Sequence, residues 1–404
     1  MADRLAVYNL PLTYRTDDLL PEDLIFVVKE PYYAQVNQSC CIRVDHPSDL
    51  VPLWPSSNLL TKSFEISNSK TALQWKDSGN NAYGANNFLE ALRGYTNAID
   101  CMSDSDVADD VSLRRLVLRN RAIVQLHLGH FESALEDAKG AVIPKDERKD
   151  VADDKRNVTA YYRAGRAAYE LHRYSEAESL IKDGLEISPQ DSDLSKELNK
   201  ITARRKDVEG EYDFATLSKS TNKKHNRLDA ANFTSRTMIK SAGESKGRGL
   251  FAEQDVKAGE LIMCEKAFSV SFDSDPGSPS HYAILDSKTQ KNASGTTAAL
   301  LFRLSDKLIY NLDAARKFLD LDDGGYTPRT PLAQVDDIVP VDTFRVLSIV
   351  NHNCLGCPTV RSSSNTAQEQ LASSKGYPSA GLWLHASYIN HACNSNAMRS
   401  SSVI

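Results

Sequence analysis

Small residues recur in phase through the first half of this chain, and that recurrence constrains its fold more than any other feature. Gly79, Ala122 and Gly165 stand 43 residues apart. Ala91, Ala134 and Ala177 follow them by 12, and Ala98, Ala141 and Gly184 follow by a further 7. A side chain of one carbon or none lets two helix backbones approach closely. Bulky neighbours such as Tyr95, Phe131 and Tyr174 then fill the space between helices. A fixed period of this length marks stacked helical units, each burying its face against the next. Unrelated amphipathic helices are the competing reading, but they do not explain three small positions kept in phase over three periods.

The pattern over residues 71–191 resembles the tetratricopeptide repeat, a helix–turn–helix unit of about 34 residues. The third unit, Val158–Asp191, is nearly regular and ends with Pro189. The extra residues of each period fall in the acidic stretches Asp104–Asp110 and Asp146–Asp154, which are expected to lengthen helices or loops. A charged helix from Asp191 to about Tyr212, with Leu194, Leu198, Ile201 and Val208 at helical spacing, is expected to cap the stack. Residues 215–231 are polar and read as a linker. Ahead of the repeats, residues 1–70 carry Pro11, Pro21, Pro31, Pro47, Pro52 and Pro55 among short apolar runs, and are expected as an irregular extension.

Three such repeats form a concave groove that takes a peptide. In some members of the family it grips the acidic C-terminus of Hsp90 or Hsp70 through a dicarboxylate clamp. The resemblance places Lys76 and Asn80 on the first-repeat pair, Asn120 on the second-repeat position and Arg163 on the third-repeat arginine. Thr159 stands where that clamp has a lysine. Residues four apart share a helix face, so Lys76 and Asn80 can converge on one carboxylate. A guanidinium can hold the other with a forked contact. Lysine and asparagine are also ordinary on solvated helices, and that plainer reading stays open.

Composition sets limits. The 404 residues are enough for two or three domains, and 41% of them are hydrophobic, enough for real cores. A net charge of −6 disfavours direct nucleic-acid binding by bulk electrostatics. No apolar run approaches the roughly 18 residues of a membrane span, so no membrane partner is expected. The seven cysteines are odd in number and scattered, and the N-terminus does not read as a secretory signal. A reducing compartment follows, cytoplasm or nucleus.

From about residue 231 the character changes. Gly243–Phe251 reads Gly-Glu-Ser-Lys-Gly-Arg-Gly-Leu-Phe and leads to Gly259-Glu260-Leu261-Ile262. Further on, residues 381–396 read Gly-Leu-Trp-Leu-His-Ala-Ser-Tyr-Ile-Asn-His-Ala-Cys-Asn-Ser-Asn. The two segments together resemble the opening and the central signature of a SET-domain protein-lysine methyltransferase, with Ser395 where the family usually has proline. Taken alone, the glycine-rich turn reads as a plain hairpin. The resemblance implies that Lys246, Gly247, Arg248 and Gly249 cradle S-adenosyl-L-methionine, with further cofactor contacts from Ser387, Asn390 and His391. Val341–Gly356 resembles the group's helix that ends in a cofactor-contacting asparagine, matched to Asn353 with Asn351 as second choice. Between these segments lies a polar stretch, 273–296, and an expected helix, Ala298–Leu321. That layout resembles the split SET and MYND group without its zinc finger, since residues 265–353 contain no cysteine. Cys354 and Cys357 form a Cys-x2-Cys pair without a nearby second half, and read as structural or incidental.

These readings give an α+β multidomain chain: an extension (1–70), an all-α repeat solenoid with its capping helix (71–215), a linker (216–231), and an incomplete, β-rich split SET domain (232–404) with a helical insertion at about 270–340. The family's catalytic tyrosine and its post-SET cysteines are expected beyond Ile404, so no catalytic residue is assigned. Cys393 is expected to bind zinc only where those cysteines are also present. The implied function is methyl transfer from S-adenosyl-L-methionine to a lysine of a histone or non-histone protein, with the repeats recruiting a protein partner and this 404-residue form weak or inactive alone. The alternative is a non-catalytic repeat scaffold, or chaperone-tail adaptor, carrying a SET remnant.

Overall fold

A computed structural model describes residues 4–8, 19–20, 24–29, 31–36, 39–53, 57, 59–60, 70–102, 108–220, 227–243, 247–275, 283–285, 292–327, 341–356 and 379–398. The chain divides into two compact units. One is Met1–Ile201 with Asp306–Leu312 and Thr330–Val341; the other is Thr202–Ser305 with Asp313–Arg329 and Asp342–Ile404.

Six helices follow one another in the first unit, α1 (Ala72–Gly84), α2 (Phe88–Cys101), α3 (Ala108–Leu128), α4 (Phe131–Gly140), α5 (Val151–Glu170) and α6 (Tyr174–Ile187), and a seventh, α7 (Ser192–Val208), begins there and ends past Ile201. The first six pack as three successive antiparallel pairs, and α7 takes the place of the expected capping helix. Local signals set the boundaries. Thr71 and Gln74 form a reciprocal capping box at the start of α1. Asp150 caps α5 through the backbone N–H groups of Ala152 and Asp153. The acidic stretches lengthen helices: α3 and α5 run for 21 and 20 residues against 13 in α1. Asp153 and Asp154 sit in the first turn of α5, where a carboxylate favours the positive end of the helix dipole.

All nine recurring small positions are buried. A methyl group at Gly79 would lie 2.8 Å from the Tyr95 ring, and one at Gly165 would lie 2.5 and 2.7 Å from two carbons of Ile181. Tyr95 and Ile181 are two periods apart, so each glycine accepts the bulky residue of the following helix in the same register. Asn157 locks the third repeat to the end of the second, its side chain exchanging two hydrogen bonds of 2.8 Å with the backbone of Ile143. Arg121 grips Asp137 with two contacts of 2.6 and 2.8 Å inside the second repeat.

The stretch expected as irregular, residues 1–70, contains five strands: β1 (Arg4–Val7), β2 (Ile25–Val28), β3 (Tyr32–Val36), β4 (Ser39–Val44) and β5 (Leu50–Leu53). They form a three-stranded sheet in the order β1-β4-β3 and an antiparallel β2-β5 pair. The prolines misled because they stand where strands tolerate them. Pro31 lies just ahead of β3, Pro47 opens a 3-10 turn, and Pro52 sits on a strand with one neighbour.

The second unit is built on short strands. β6 (Thr237–Ser241) and β7 (Arg248–Ala252) make an antiparallel hairpin, its turn closed by a 2.8 Å bond from Ala242 N–H to Gly247 O. β8 (Ser269–Phe272), β11 (Leu355–Gly356) and β12 (Ser379–Leu382) form a sheet in the order β11-β12-β8, and β12 is buried along its whole length. β9 (Ala283–Leu285) and β10 (Asn292–Ser294) pair separately. The residues read as a linker include a helix, α8 (Phe214–Ser220), and the approach to β6 is anchored. There the Tyr212 hydroxyl donates to Ala231 O at 2.6 Å, and Ala231 N–H donates to Asp207 at 3.1 Å. The helix expected over Ala298–Leu321 is two: α9 (Thr296–Ile309) and α10 (Leu312–Leu319). They break at Asn311, whose side chain bonds the Lys307 carbonyl one turn back and so competes with the backbone for it. The last helix, α11 (Thr343–Asn353), starts at the cap Asp342 and ends on Asn353, as expected. Among the described residues, no helix is long and apolar enough to cross a membrane.

The close approach at Gly165 yields a stability prediction. Gly165→Val forces Ile181 and its helix apart and is expected to destabilise the folded chain by about 1–3 kcal/mol, despite the better helix propensity of valine. A denaturant midpoint equal to that of the unsubstituted protein would show that the helices are not held at this distance.

Candidate functional site

In the repeat unit, the four residues expected to hold a peptide lie on the first helices of the three repeats. Lys76 and Asn80 sit one turn apart on α1, Asn120 is on α3 and Arg163 on α5. Asn80 and Asn120 meet directly, Asn120 Nδ2 donating to Asn80 Oδ1 at 3.2 Å. The same oxygen accepts the Tyr95 hydroxyl at 2.8 Å. Burial pushes that phenol up to about 12, while nearby Arg163 and the Asn120 hydrogen bond pull the other way. Tyr95 is therefore a neutral donor that fixes the asparagine pair. The Arg163 guanidinium donates to the Arg119 carbonyl, and burial lowers its pKa. Lys76 Nζ lies 2.9 Å from Asp77. Thr159 turns its hydroxyl back to Lys155 O at 3.0 Å, so it adds no cation to the groove. The structure thus joins Asn80 to both Asn120 and Tyr95, with Arg163 electrostatically close to the phenol and Lys76 one turn away. Sequence reasoning gave Tyr95 a packing role only. Its lone hydroxyl beside a recurring glycine was the available signal.

In the second unit the expected cofactor residues fall into three groups. Lys246 lies outside the described residues, as does Cys357. Gly247 has φ +64°, a left-handed backbone that suits glycine, and ends the hairpin turn. Gly249 follows on β7, packed so closely against Asn390 that a methyl group there would collide with the Asn390 side-chain amide. The turn and the central motif, 141 residues apart in sequence, therefore form one locus.

The Arg248 side chain is engaged within the domain. Its Nη1 lies 2.7 Å from Asp320, a second nitrogen donates to the Asp320 carbonyl, and its Cζ stands 5.0 Å above the Tyr388 ring. The Tyr388 hydroxyl also donates to Asp320, at 2.9 Å, and the phenol is pushed up to about 12, chiefly by burial. Arg248 hydrogen bonding holds the Asp320 carboxyl below the usual carboxylate range. Arg248, Asp320 and Tyr388 thus fasten the hairpin, the end of α10 and the central motif to one another. Asn353 fastens the same segment, its amide donating to Asp322 O at 2.7 Å and to Ile349 O at 2.8 Å. Asn351, the second choice, is exposed.

Ser387 Oγ donates to Trp383 O at 2.6 Å, closing the 3-10 turn ahead of Asn390. Asn390 and His391 are exposed. Cys393 is also exposed, its sulfur 3.6 Å from His391 Nε2. Among the described residues, no three His, Cys, Asp or Glu side chains gather as a metal site.

Sequence reasoning missed Glu265 and Asp320. The Glu265 carboxylate accepts from His385 N–H and Ala386 N–H, both at 2.8 Å, and so organises the start of the turn that bears Tyr388. Burial pushes its carboxyl up, and these N–H groups with that of Leu384 draw it partly back. Asp320 belongs to the run Leu319-Asp-Leu-Asp-Asp-Gly-Gly325, an acidic, glycine-terminated helix end that was the visible signal.

Residues 247–403 match the family model of the SET domain. The C-terminal part of this chain is a SET domain. The helices ahead of it form a TPR-like solenoid. A protein named "Methyltransferase" from Gibberella zeae is 28% identical over 94% of this chain and 52% of its own length. The "Tetratricopeptide repeat protein 4 homolog" of Dictyostelium discoideum is 30% identical over 39% of this chain and 40% of that protein. Among solved structures, the "First TPR of Spaghetti (RPAP3) bound to HSP90 peptide SRMEEVD" is 28% identical over 32% of this chain and 90% of that one, with a TM-score of 0.26. The chain spans about half, or less, of the two relatives compared by sequence. With the SET motif held by Glu265, Glu265→Ala leaves three backbone donors without their acceptor. It is expected to cost at least about 2 kcal/mol of stability, read as a lower denaturant midpoint of the full chain.

Proposed function

We propose that this chain is a tetratricopeptide-repeat adaptor whose groove holds the acidic C-terminal tail of an Hsp70- or Hsp90-type chaperone. The observation that carries the reading is the joined set Asn80, Asn120 and Tyr95 with Arg163 beside it and Lys76 one turn away. Amide and ammonium donors together with a guanidinium suit a terminal carboxylate and its neighbouring acidic side chain. Co-chaperones among the relatives add support: 28% identity to the "Hsp70-Hsp90 organizing protein" of Triticum aestivum runs over 39% of this chain and 26% of that protein.

A second reading concerns the SET domain. The contact between Gly249 and Asn390 supports binding of S-adenosyl-L-methionine, for which Gly247 and Gly249 offer backbone that a ligand can approach, and Asn390 and His391 offer polar side chains. Arg248 and Asn353 support that locus by fixing its walls. The cofactor supplies a sulfonium methyl group, and the acceptor is a lysine of a protein, histone or otherwise.

Each reading has its own measurement. Fluorescence anisotropy of labelled SRMEEVD peptide with the full chain is expected to show saturable binding, and the same peptide with a C-terminal amide is expected to bind at least about tenfold more weakly. Equal binding of acid and amide would remove the carboxylate from the recognition and defeat the adaptor reading. Calorimetric titration of S-adenosyl-L-methionine into the full chain is expected to show one saturable site, lost in Gly249→Val, whose added methyl groups meet Asn390. Folded protein that takes up no S-adenosyl-L-methionine would leave the repeat groove as the functional part of the chain.

A further inference from the structure

The acidic loop that follows α10 is exposed in part, yet it is firmly held. Leu321 is buried, while Asp320 and Asp322 on either side of it are exposed. Gly324 and Gly325 take left-handed backbone, at φ +65° and +75°. Asp322 Oδ1 accepts the Gly324 N–H at 2.9 Å, and Asp323 Oδ1 accepts those of Gly325 and Tyr326, both at 3.2 Å. One broad face of α11 then grips the loop along its length. Arg345 donates to Asp323 Oδ2 and to Leu319 O, both at 3.0 Å, Ser348 Oγ donates to Asp323 O at 2.7 Å, and the Asn353 amide donates to Asp322 O at 2.7 Å. The His352 ring lies against Gly324, where a methyl group would come within 2.2 Å of it.

This fixed loop presents Asp320 to both motif segments. Asp320 Oδ2 accepts from Arg248 at 2.7 Å and from the Tyr388 hydroxyl at 2.9 Å, and the Asp320 carbonyl accepts from the same two side chains. Arg248 stands between Gly247 and Gly249 in sequence, and Tyr388 stands two residues before Asn390. The Arg248 and Asp320 side chains are 45% and 60% exposed. A pair so exposed contributes little to stability, because water screens it and two side chains must be ordered to form it. A carboxylate carried on a rigid loop is already placed, so less ordering is needed for it to hold its donors. Such an acceptor supplies geometry, here the spacing of two segments that meet at one locus.

We propose that Asp320 is a positioning residue of the S-adenosyl-L-methionine locus: through Arg248 and Tyr388 it sets the spacing between the Gly247–Gly249 turn and Asn390, and so sets cofactor affinity rather than fold stability. This rests on the cofactor-binding reading above. Gly249 and Asn390 pack too closely to admit a methyl group between them, so a small shift of the turn alters the approach to both. Binding sites lose affinity at displacements well below the length of a bond. The helical insertion acts on the cofactor locus through this one carboxylate, with α11 holding the loop that carries it.

The test is calorimetric titration of S-adenosyl-L-methionine into the full chain, unsubstituted and as Asp320→Ala, Asp320→Asn and Arg316→Ala, at a temperature where each is folded. The ligand-free denaturation midpoint of each is measured alongside. Arg316 makes an exposed pair with Asp313 on the same helix, at 3.1 Å, and so controls for the loss of a surface ion pair from α10. Asp320→Ala is expected to weaken binding at least about tenfold with an unchanged midpoint. Asp320→Asn keeps an acceptor oxygen without the charge and is expected to fall in between, and Arg316→Ala to bind as the unsubstituted protein does. Full affinity in Asp320→Ala refutes the inference and leaves the cofactor reading standing. A loss of affinity that comes with a lowered midpoint, and that Asp320→Asn does not relieve, makes Asp320 an ordinary structural residue and equally refutes it. If the unsubstituted protein takes up no S-adenosyl-L-methionine, the cofactor reading and this inference fall together.

Discussion

The repeat unit depends on how closely its helices can approach. Where Gly79 meets Tyr95 and Gly165 meets Ile181, no room exists for even one added carbon without a shift. Close packing at those points fixes the separation and phase of successive helices. That phase puts residues 76, 80, 120 and 163 on related faces of three helices. The polar node of Asn80, Asn120 and Tyr95 is therefore a consequence of packing behind it: the ring that fills the space over Gly79 is the ring whose hydroxyl holds Asn80.

The SET domain follows a different physical plan. Its strands are short, and its candidate site is assembled by polar fasteners rather than by one large sheet. Asp320 receives Arg248 from the hairpin and Tyr388 from the central motif, Asp322 receives Asn353 from the end of α11, and Glu265 receives the N–H groups that open the motif's turn. Losing a partner is costly where the group is drawn out of water, as at Glu265, whereas the exposed Arg248–Asp320 pair sets geometry at little energetic gain. Arg248, Asn353 and Ser387, all expected near the cofactor, each make hydrogen bonds within the domain.

Legibility varied with the length scale of the signal. The repeat was readable because its small residues recur at a fixed interval, and the helix ending at Asn353 was readable from the resemblance of its segment to a family helix. The break between α9 and α10 was not, because Leu300, Leu301, Leu304 and Leu308 keep helical spacing up to it and the interruption comes from one asparagine side chain turning back on Lys307. The strands of residues 4–53 were hidden by prolines that happen to stand at strand edges and turns. Arg248 shows the deeper limit. It was read from a motif, yet its partner is an aspartate 72 residues away that belongs to no motif.

The order of parts was written in the chain: a repeat solenoid followed by a SET domain, with Lys76, Asn80, Asn120 and Arg163 in one half and the Gly247–Gly249 and Asn390–His391 segments in the other. Periodicity carried the solenoid and resemblance to family motifs carried the rest, since both are local properties of the sequence. Which of those side chains face one another, and which are already engaged, came from the folded structure alone. Hydrogen bonds such as Arg248 to Asp320, or Tyr95 to Asn80, join residues that no motif relates. Their strength depends on burial and distance, which exist only once the chain has folded.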